Sequence, residues 1–520
     1  MSIILLNKKP DDVGRRSLRI LHVGNIANNG YYNAKFLRKA GVDADVLCYD
    51  NYWTMSSPEW EELDFDGVPA DQIFPNWRAL GIKGYEHPRW FAQGPFDLCV
   101  AYLLAKQMGR TAETERLWKL LVKTRRLICS PSYSGLFSVI RELKKYFVKS
   151  PRLENQIRSL SNAAVCVISG IAGKRNTFHE RYLNQCRTLI EEFELRFPDR
   201  PDRLTMEDMA PYENKTMALA ELFEHYDIVQ GYAVDPIYPM LAGFRPYVAF
   251  EHGTLRDSPE VGWAYKGPFF NSALSRLTAL SYAIADHVFV TNADCLASAK
   301  RLGISNFEAV PHPLDEDSFS PDGKYWDSIR ERFKSEFIFF CPIRHDWDEK
   351  GVDQYIRAIP KLRGILGNKF KVCFTPWGKE VDRSRRLISE LDCDDLTEWV
   401  GPFGRVRFVR WMSASDIVFD QLAYPSFSGI TPRALSCGVP VVAAYESDIM
   451  RFMFSEPAPV LAAQSPDDIV EQVLRAIRPG FRKDYGAKAR AWIERYHSSE
   501  TMLTHMLGAY DEITQRVEVK

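Results

Sequence analysis

Short apolar runs alternate with amphipathic stretches along most of the chain. The run Leu18–Val23 leads into the turn Gly24–Gly30, a helical stretch to about Lys39, a stop at Gly41 and a second run near Ala44 to Cys48. This is a βαβ unit opening an α/β domain. From about Asp50 to Glu224 the rhythm changes. Trp and Pro are frequent up to Pro95, and long amphipathic stretches follow at Leu98–Met108, Thr114–Leu127 and Leu136–Val148, which predict a largely helical insertion. Strands return at Asp227–Gly231, Tyr247–Glu251 and His287–Thr291. After a proline-bearing linker, Pro311–Gly323, a second block follows with strands at Phe337–Cys341, Phe370–Phe374, Asp416–Asp420 and Val439–Ala443. The stretch from about Asp467 onward reads as helices. The pattern predicts an α/β protein of two doubly wound, Rossmann-like domains facing a cleft. Residues 1–315 form the first, with the helical insertion at about 50–224, and residues 316–498 the second. Ligands of such sheets bind beyond the carboxyl ends of the strands.

Composition narrows the class. The chain has 520 residues, 46% hydrophobic and 26% charged, which fits a globular protein of two or three domains. Lys+Arg 67 against Asp+Glu 68 excludes a globally basic nucleic-acid binder, and no nucleic-acid partner is expected. There is no apolar run of 18 residues to cross a membrane. The N-terminus lacks the pattern of a signal peptide. The ten Cys are scattered singly, as reduced core cysteines of a cytosolic protein are.

Three segments carry candidate chemistry. In Phe339–Gly351 an apolar strand ends in Arg344, and Lys350-Gly351 opens the next helix. A rigid guanidinium fork and a mobile ammonium beside a strand end and a helix start form an anion site suited to a diphosphate. In Asp416–Val442 a strand feeds a small polar loop and a short helix carrying Pro432 in its first turn. The free N–H groups of Gly429, Ile430 and Thr431, beside Ser428, would point at an anion. In Glu251–Asp257, which also follows a strand, His252 is either a cleft residue or a structural histidine, and Arg256 with Asp257 can form a local ion pair. The acidic clusters Asp43-Ala44-Asp45 and Asp392–Asp395 read as a strand entry and a polar turn, so no metal site is expected.

The segment Phe337–Ala444 resembles the retaining nucleotide-sugar glycosyltransferases of the GT-B fold, family 4-like. Arg344 and Lys350-Gly351 match that family's phosphate-binding pair. Arg433-Ala434-Leu435-Ser436-Cys437-Gly438-Val439-Pro440-Val441-Val442 matches its loop–helix of the type Glu-x7-Glu-Ala-Met-Ala-x-Gly-x-Pro-Val-Val. Asp420-Gln421 and Trp377-Gly378 are similar to a subset of these enzymes. The turn with Asn29 and Gly30 is similar to the glycine-bearing loop under the donor sugar, and the His-Gly pair at His252 to a segment that contacts that sugar. The resemblance implies a hexosyltransferase-like enzyme of polysaccharide biosynthesis that moves a sugar from a nucleotide-sugar to a hydroxyl of a glycan or lipid-linked acceptor. It implies retention, no required metal and no cofactor. His252, Arg344 and Lys350 would be catalytic; Asn29, Gly30, Gly378, Ser428, Gly429, Ile430, Thr431 and Arg433 would bind the donor. It also implies that residues 499–520 cross back to the first domain as a helix.

One departure matters. The family's two glutamates would fall at Pro425 and Arg433, and a guanidinium cannot accept the ribose hydrogen bonds that the second glutamate accepts. Another acceptor, another donor, a third cation for the diphosphate, or a catalytically inactive nucleotide- or glycan-binding protein all satisfy the sequence. Residues 101–160 hold 13 Lys+Arg and 4 Asp+Glu. Such a stretch is either a solvated helical face or a surface for an anionic membrane, which would make the cytoplasmic protein peripheral on the inner face of the membrane.

Overall fold

The computed structural model describes residues 18–67, 75–77, 79–80, 85–128, 175–256, 266–320, 326–424 and 428–518. The predicted helix Leu136–Val148, the rest of the basic stretch beyond Ile128, Asp257 and Pro425 lie outside the described residues.

Two wholly parallel sheets form the frame. The first contains β1 (Arg19–Val23), β2 (Asp43–Tyr49), β3 (Phe91–Gly94), β4 (Ile228–Tyr232), β5 (Tyr247–Phe250), β6 (His287–Val290) and β7 (Phe307–Ala309), in the order β3-β2-β1-β4-β5-β6-β7. The second contains β8 (Phe337–Cys341), β9 (Phe370–Phe374), β10 (Thr397–Trp399), β11 (Ile417–Phe419), β12 (Val441–Ala443) and β13 (Leu461–Ala462), in the order β10-β9-β8-β11-β12-β13. The strand order reverses between β1 and β4 and between β8 and β11. A crevice opens at such a switch point.

The near-continuous apolar strands reflect burial on both faces. In β8, Ile338, Phe339, Phe340 and Cys341 are wholly buried. The helix Val352–Leu366 covers this sheet with Val352, Tyr355, Ile356, Ile359 and Leu362, spaced along one face. Tyr355 stacks on Phe419 at 4.4 Å, and its hydroxyl bonds the Asp420 and Val442 carbonyl region, clamping the ends of β11 and β12 where the site begins. In the first domain the Tyr232 hydroxyl gathers His22 Nδ1 at 2.8 Å, Asn33 Nδ2 at 2.8 Å and Gln230 Nε2 at 2.7 Å. Burial pushes His22 down to about 3, so its ring is neutral and accepts.

The predicted insertion needs correction. Its Trp- and Pro-rich part ends in the edge strand β3, which pairs with β2 and so returns the chain to the sheet, and the long helices begin only after Gly94. Four residues, Phe-Ala-Gln-Gly, carry too little periodicity to show a strand. The described helices that follow are Phe96–Gln107, Thr111–Ile128 and Arg175–Arg196. Strands β7, β10 and β13, of two or three residues, also escape the pattern.

Two segments tie the domains together. The helix Ser499–Glu518 buries Met502, Met506, Tyr510 and Ile513 against Ile20, Tyr31 and Leu37 of the first domain, and Tyr510 donates to Gln230 at 2.7 Å. In the other direction, residues 57–67 form a strap onto the second domain. Asp66 makes an antiparallel bridge with Phe403, the Gly67 N–H donates to Pro402 O at 3.1 Å, and the Gly404 N–H donates to Phe65 O at 2.9 Å. A side chain at Gly404 would strike the Leu63 carbonyl at 2.2 Å, so the two backbones can approach only at a glycine.

Candidate active site

A cleft of about 520 Å³ lies between the two domains, at the ends of the strands. Asn29, His252 and Gly253 line it from the first domain, and Arg344, Lys350, Gln421, Ser428, Gly429 and Ile430 from the second. Among the described residues, six cationic side chains (Arg256, Lys266, Arg344, Lys350, Arg405, Arg433) and two acidic ones (Glu61, Glu349) line it, in a protein whose net charge is −1. The excess suits an anion.

Arg344 and Lys350 face the same cleft. The Arg344 fork is held by Asp346 at 3.2 Å and Glu349 at 3.4 Å. Lys350, on the one-turn helix Trp347–Lys350, donates to Gln421 Oε1 at 2.6 Å and, among the described residues, has no salt-bridge partner. Burial pushes its ammonium down to about 8, with Asp420 opposing the shift and Arg344 and Arg256 adding to it.

Across the cleft, Asn29 Nδ2 donates to His252 Nδ1 at 2.9 Å, which leaves the ring proton on Nε2. Burial, with His312, Arg256 and Lys350 around it, holds His252 well below the ordinary histidine range. His252 is therefore a neutral hydrogen-bond donor toward the cleft. The third wall is an apolar slot lined by Pro342, Ile343, Trp377, Pro402, Phe403 and Phe408.

Three expected donor contacts, Thr431, Gly378 and Gly30, do not line the cleft. Thr431 does not line the cleft: its N–H and hydroxyl donate to Asp420 Oδ2 at 3.2 and 2.7 Å. The Ser428 N–H also goes to Asp420, and the Ile430 N–H goes to Ser428 Oγ at 3.1 Å. The loop is thus capped by a buried carboxylate, and its amides are not a free anion nest. Gly378 lies behind the wall, where a side chain would meet the His345 backbone N at 2.5 Å; Trp377 is the residue that lines the cleft. Gly30 is buried at a helix start, where a side chain would meet the Gly24 carbonyl at 2.6 Å. Arg433 lines the cleft but is no third cation for a diphosphate, because Glu61 neutralises it at 3.0 Å and the Gly429 carbonyl accepts from it at 3.2 Å. Arg256 pairs with Asp294 at 3.1 Å and stacks over Tyr424 at 4.4 Å, crossing the domain gap.

Residues 353–508 match a family described as glycosyl transferase-like. Among solved structures, the glycosyltransferase from Rickettsia africae ESF-5 is 12% identical, with 96% of this chain and 99% of that one covered at a TM-score of 0.50. Anabaena HepE in complex with UDP-glucose is 15% identical (60% and 85% covered, TM-score 0.48). Sucrose-phosphate synthase from Thermosynechococcus elongatus is 16% identical (60% and 81% covered, TM-score 0.46). No curated protein sequence matches the chain. The Rickettsia likeness spans both domains and, at its low identity, shows a shared fold.

The architecture is GT-B.

Several residues of this GT-B cleft were not visible in the sequence. Trp60 and Glu61, on the short helix Pro58–Glu62, reach it from within the presumed insertion. Ser57-Pro58-Glu59 does signal a helix start, but nothing local tells that its end faces a partner 372 positions away. His312 and Phe319 enter from the interdomain linker. Burial pushes His312 down to about 4, so it adds no charge to the cleft near neutrality.

Proposed function

We propose that the chain is a nucleotide-sugar-dependent glycosyltransferase of the GT-B class. The observation that carries this reading is the meeting of Arg344 and Lys350 in one interdomain cleft, opposite Asn29 and His252. The apolar slot takes the base, the two cations take the diphosphate, and the sugar lies toward His252. Cleaving the bond from the anomeric carbon to the phosphate oxygen puts negative charge on the departing diphosphate. Arg344 and Lys350 stabilise that charge more in the transition state than before it, which is what lowers a barrier. The Arg344 fork is pre-oriented by its two carboxylates, so little reorganisation is left for the reaction. His252 donates Nε2–H to a sugar hydroxyl.

The finer features follow the family resemblance. A hexosyl group is transferred with retention to a glycan or lipid-linked hydroxyl held by the first domain, in polysaccharide biosynthesis, and protein cations serve where other enzymes use a metal. No described helix is long and apolar enough to cross a membrane. On the helix Thr111–Ile128, Arg116, Lys119, Lys123 and Arg126 are exposed along one side. They suit peripheral attachment to an anionic leaflet on the cytoplasmic side. A second reading, a GT-B protein that binds without turnover, is favoured by one observation: Arg433 stands where the related enzymes carry an acceptor glutamate. Melting curves with UDP, GDP, ADP and CMP test the first reading, since a ligand of the folded state raises the melting temperature. Donor hydrolysis by the wild type, absent in Arg344→Ala, separates turnover from mere binding.

A further inference from the structure

We propose that Glu61, carried by the first domain, is a donor-binding residue that accepts hydrogen bonds from the vicinal hydroxyls of the nucleotide ribose. This rests on the nucleotide-sugar reading above. The acceptor missing from the second domain at position 433 is thereby supplied across the cleft, and the Arg433 guanidinium orients it.

The geometry places the carboxylate where a ribose belongs. A ribose joins the base to the phosphates, so it must lie between the apolar slot and the cationic end. Glu61 adjoins the slot on one side and, on the other, the polar loop capped by Asp420, which is followed by Gln421, the partner of Lys350. Its backbone carbonyl accepts from Arg405 Nε, two residues beyond Phe403 of the slot. Its side chain meets Arg433 Nη2 at 3.0 Å, and that same guanidinium bonds Gly429 O of the polar loop. Oε2 accepts from the Tyr32 hydroxyl at 3.0 Å. A carboxylate offers about four acceptor sites, so these two contacts leave room for a diol while still lining the cleft. Glu61 is only 5% exposed, and a charge so placed is costly unless it is paired. Arg433 provides the pairing, and Tyr32 together with the Asp66–Phe403 bridge fixes the strap that carries it.

A plain interdomain latch would use the same ion pair, and the two roles differ in what they discriminate. A latch supports every ligand equally, whereas an acceptor distinguishes a ribose from a sugar without its hydroxyls. The experiment uses the full chain and whichever of UDP, GDP and ADP raises the melting temperature most. Titration calorimetry compares that nucleotide with its 2′,3′-dideoxy counterpart on wild type, on Glu61→Met, and on Glu61→Met/Arg433→Met, which removes both buried charges and so preserves the fold. The wild type should prefer the ribose form by at least about tenfold, as expected for charge-assisted hydrogen bonds. In the variants the preference should fall to within about twofold. A preference that survives in both variants, or a wild type that binds both nucleotides alike, overturns the assignment. A wild type that binds none of the three nucleotides overturns instead the reading on which it rests, and the assignment with it.

Discussion

The indole of Trp60 lies on the indole of Trp377, with ring centres 5.7 Å apart and planes 26° from parallel, although each belongs to a different domain. Trp377 is itself pinned by its Nε1–H donating to Pro342 O at 3.0 Å. The stack therefore joins the strap of the first domain to the strand ends that carry Arg344.

Removing this stack should loosen the domains before it unfolds either. For Trp60→Ala we expect a loss of about 1–2 kcal/mol, from the aromatic contact and the half-buried area. The melting temperature should fall by a few degrees, and small-angle scattering should show a larger radius of gyration for the unliganded variant. An unchanged radius would mean that the hydrogen bonds at Phe65, Gly67, Pro402 and Gly404 hold the domains unaided.

Lys350 should make nucleotide binding depend on pH. Its folded value, about 8, lies below the ordinary 10.5, because burial disfavours the ammonium. Between those values the folded chain binds fewer protons than the unfolded one, so this group makes stability rise with pH over that window. Diphosphate binding needs the ammonium and should weaken over the same window, by up to about tenfold per pH unit. Calorimetry from pH 7 to 9.5 reads the slope. In Lys350→Arg, whose guanidinium stays charged, the curve should be flat.

Arg344→Ala should act on turnover rather than on folding. The Arg344 side chain is partly exposed, and the buried Asp346 keeps a second cation, Lys379, at 3.8 Å, so the melting temperature should fall by only a few degrees. Loss of a transition-state cation should lower turnover by about 10²–10³-fold. Arg344→Lys should recover part of this, since it keeps a charge but not the fork. Steady-state rates with the donor that binds best check both.

Asp420 should prove to be the organiser of the donor loop. It accepts from the Ser428 N–H and hydroxyl at 3.0 and 2.6 Å, the Thr431 N–H and hydroxyl at 3.2 and 2.7 Å, and the Gln421 N–H at 2.7 Å. Asp420→Ala strands these buried donors at a cost of about 3 kcal/mol or more. Urea denaturation should show the loss. Nucleotide affinity should fall with it, although Asp420 itself is not among the residues lining the cleft.

Gly378→Ala should destabilise without touching ligand. The residue sits at φ +107, and a methyl group would press on the His345 backbone at 2.5 Å. A loss of about 2–4 kcal/mol is expected. Thermal unfolding should report it, and binding measured well below the melting point should be nearly normal.

The parts of the site legible in the sequence are those set by short-range pattern. Arg344 and Lys350 follow an unmistakable apolar strand of one sheet, and His252 follows a strand of the other, so each parallel sheet delivers its residues beyond the carboxyl ends of its strands. The roles misread are those in which a residue works by what it leaves out or takes up. Gly30 and Gly378 look like walls for a ligand but are clearances for neighbouring backbone, and Thr431 spends its donors on Asp420. Strands β10 and β13 are too short to carry a period. The Glu61–Arg433 pair could not be read at all, because charge at a single position says nothing about a partner in the other domain.

The helix Ser499–Glu518 bears on how the chain is made. Tyr510 and Met506 close the apolar layer over β1 and the helix Asn29–Lys39, elements that leave the ribosome long before them. Until the helix Ser499–Glu518 has been translated, Ile20, Tyr31 and Leu37 lack the cover it gives them. The first domain must therefore wait, incomplete and open to chaperones, for that helix to arrive.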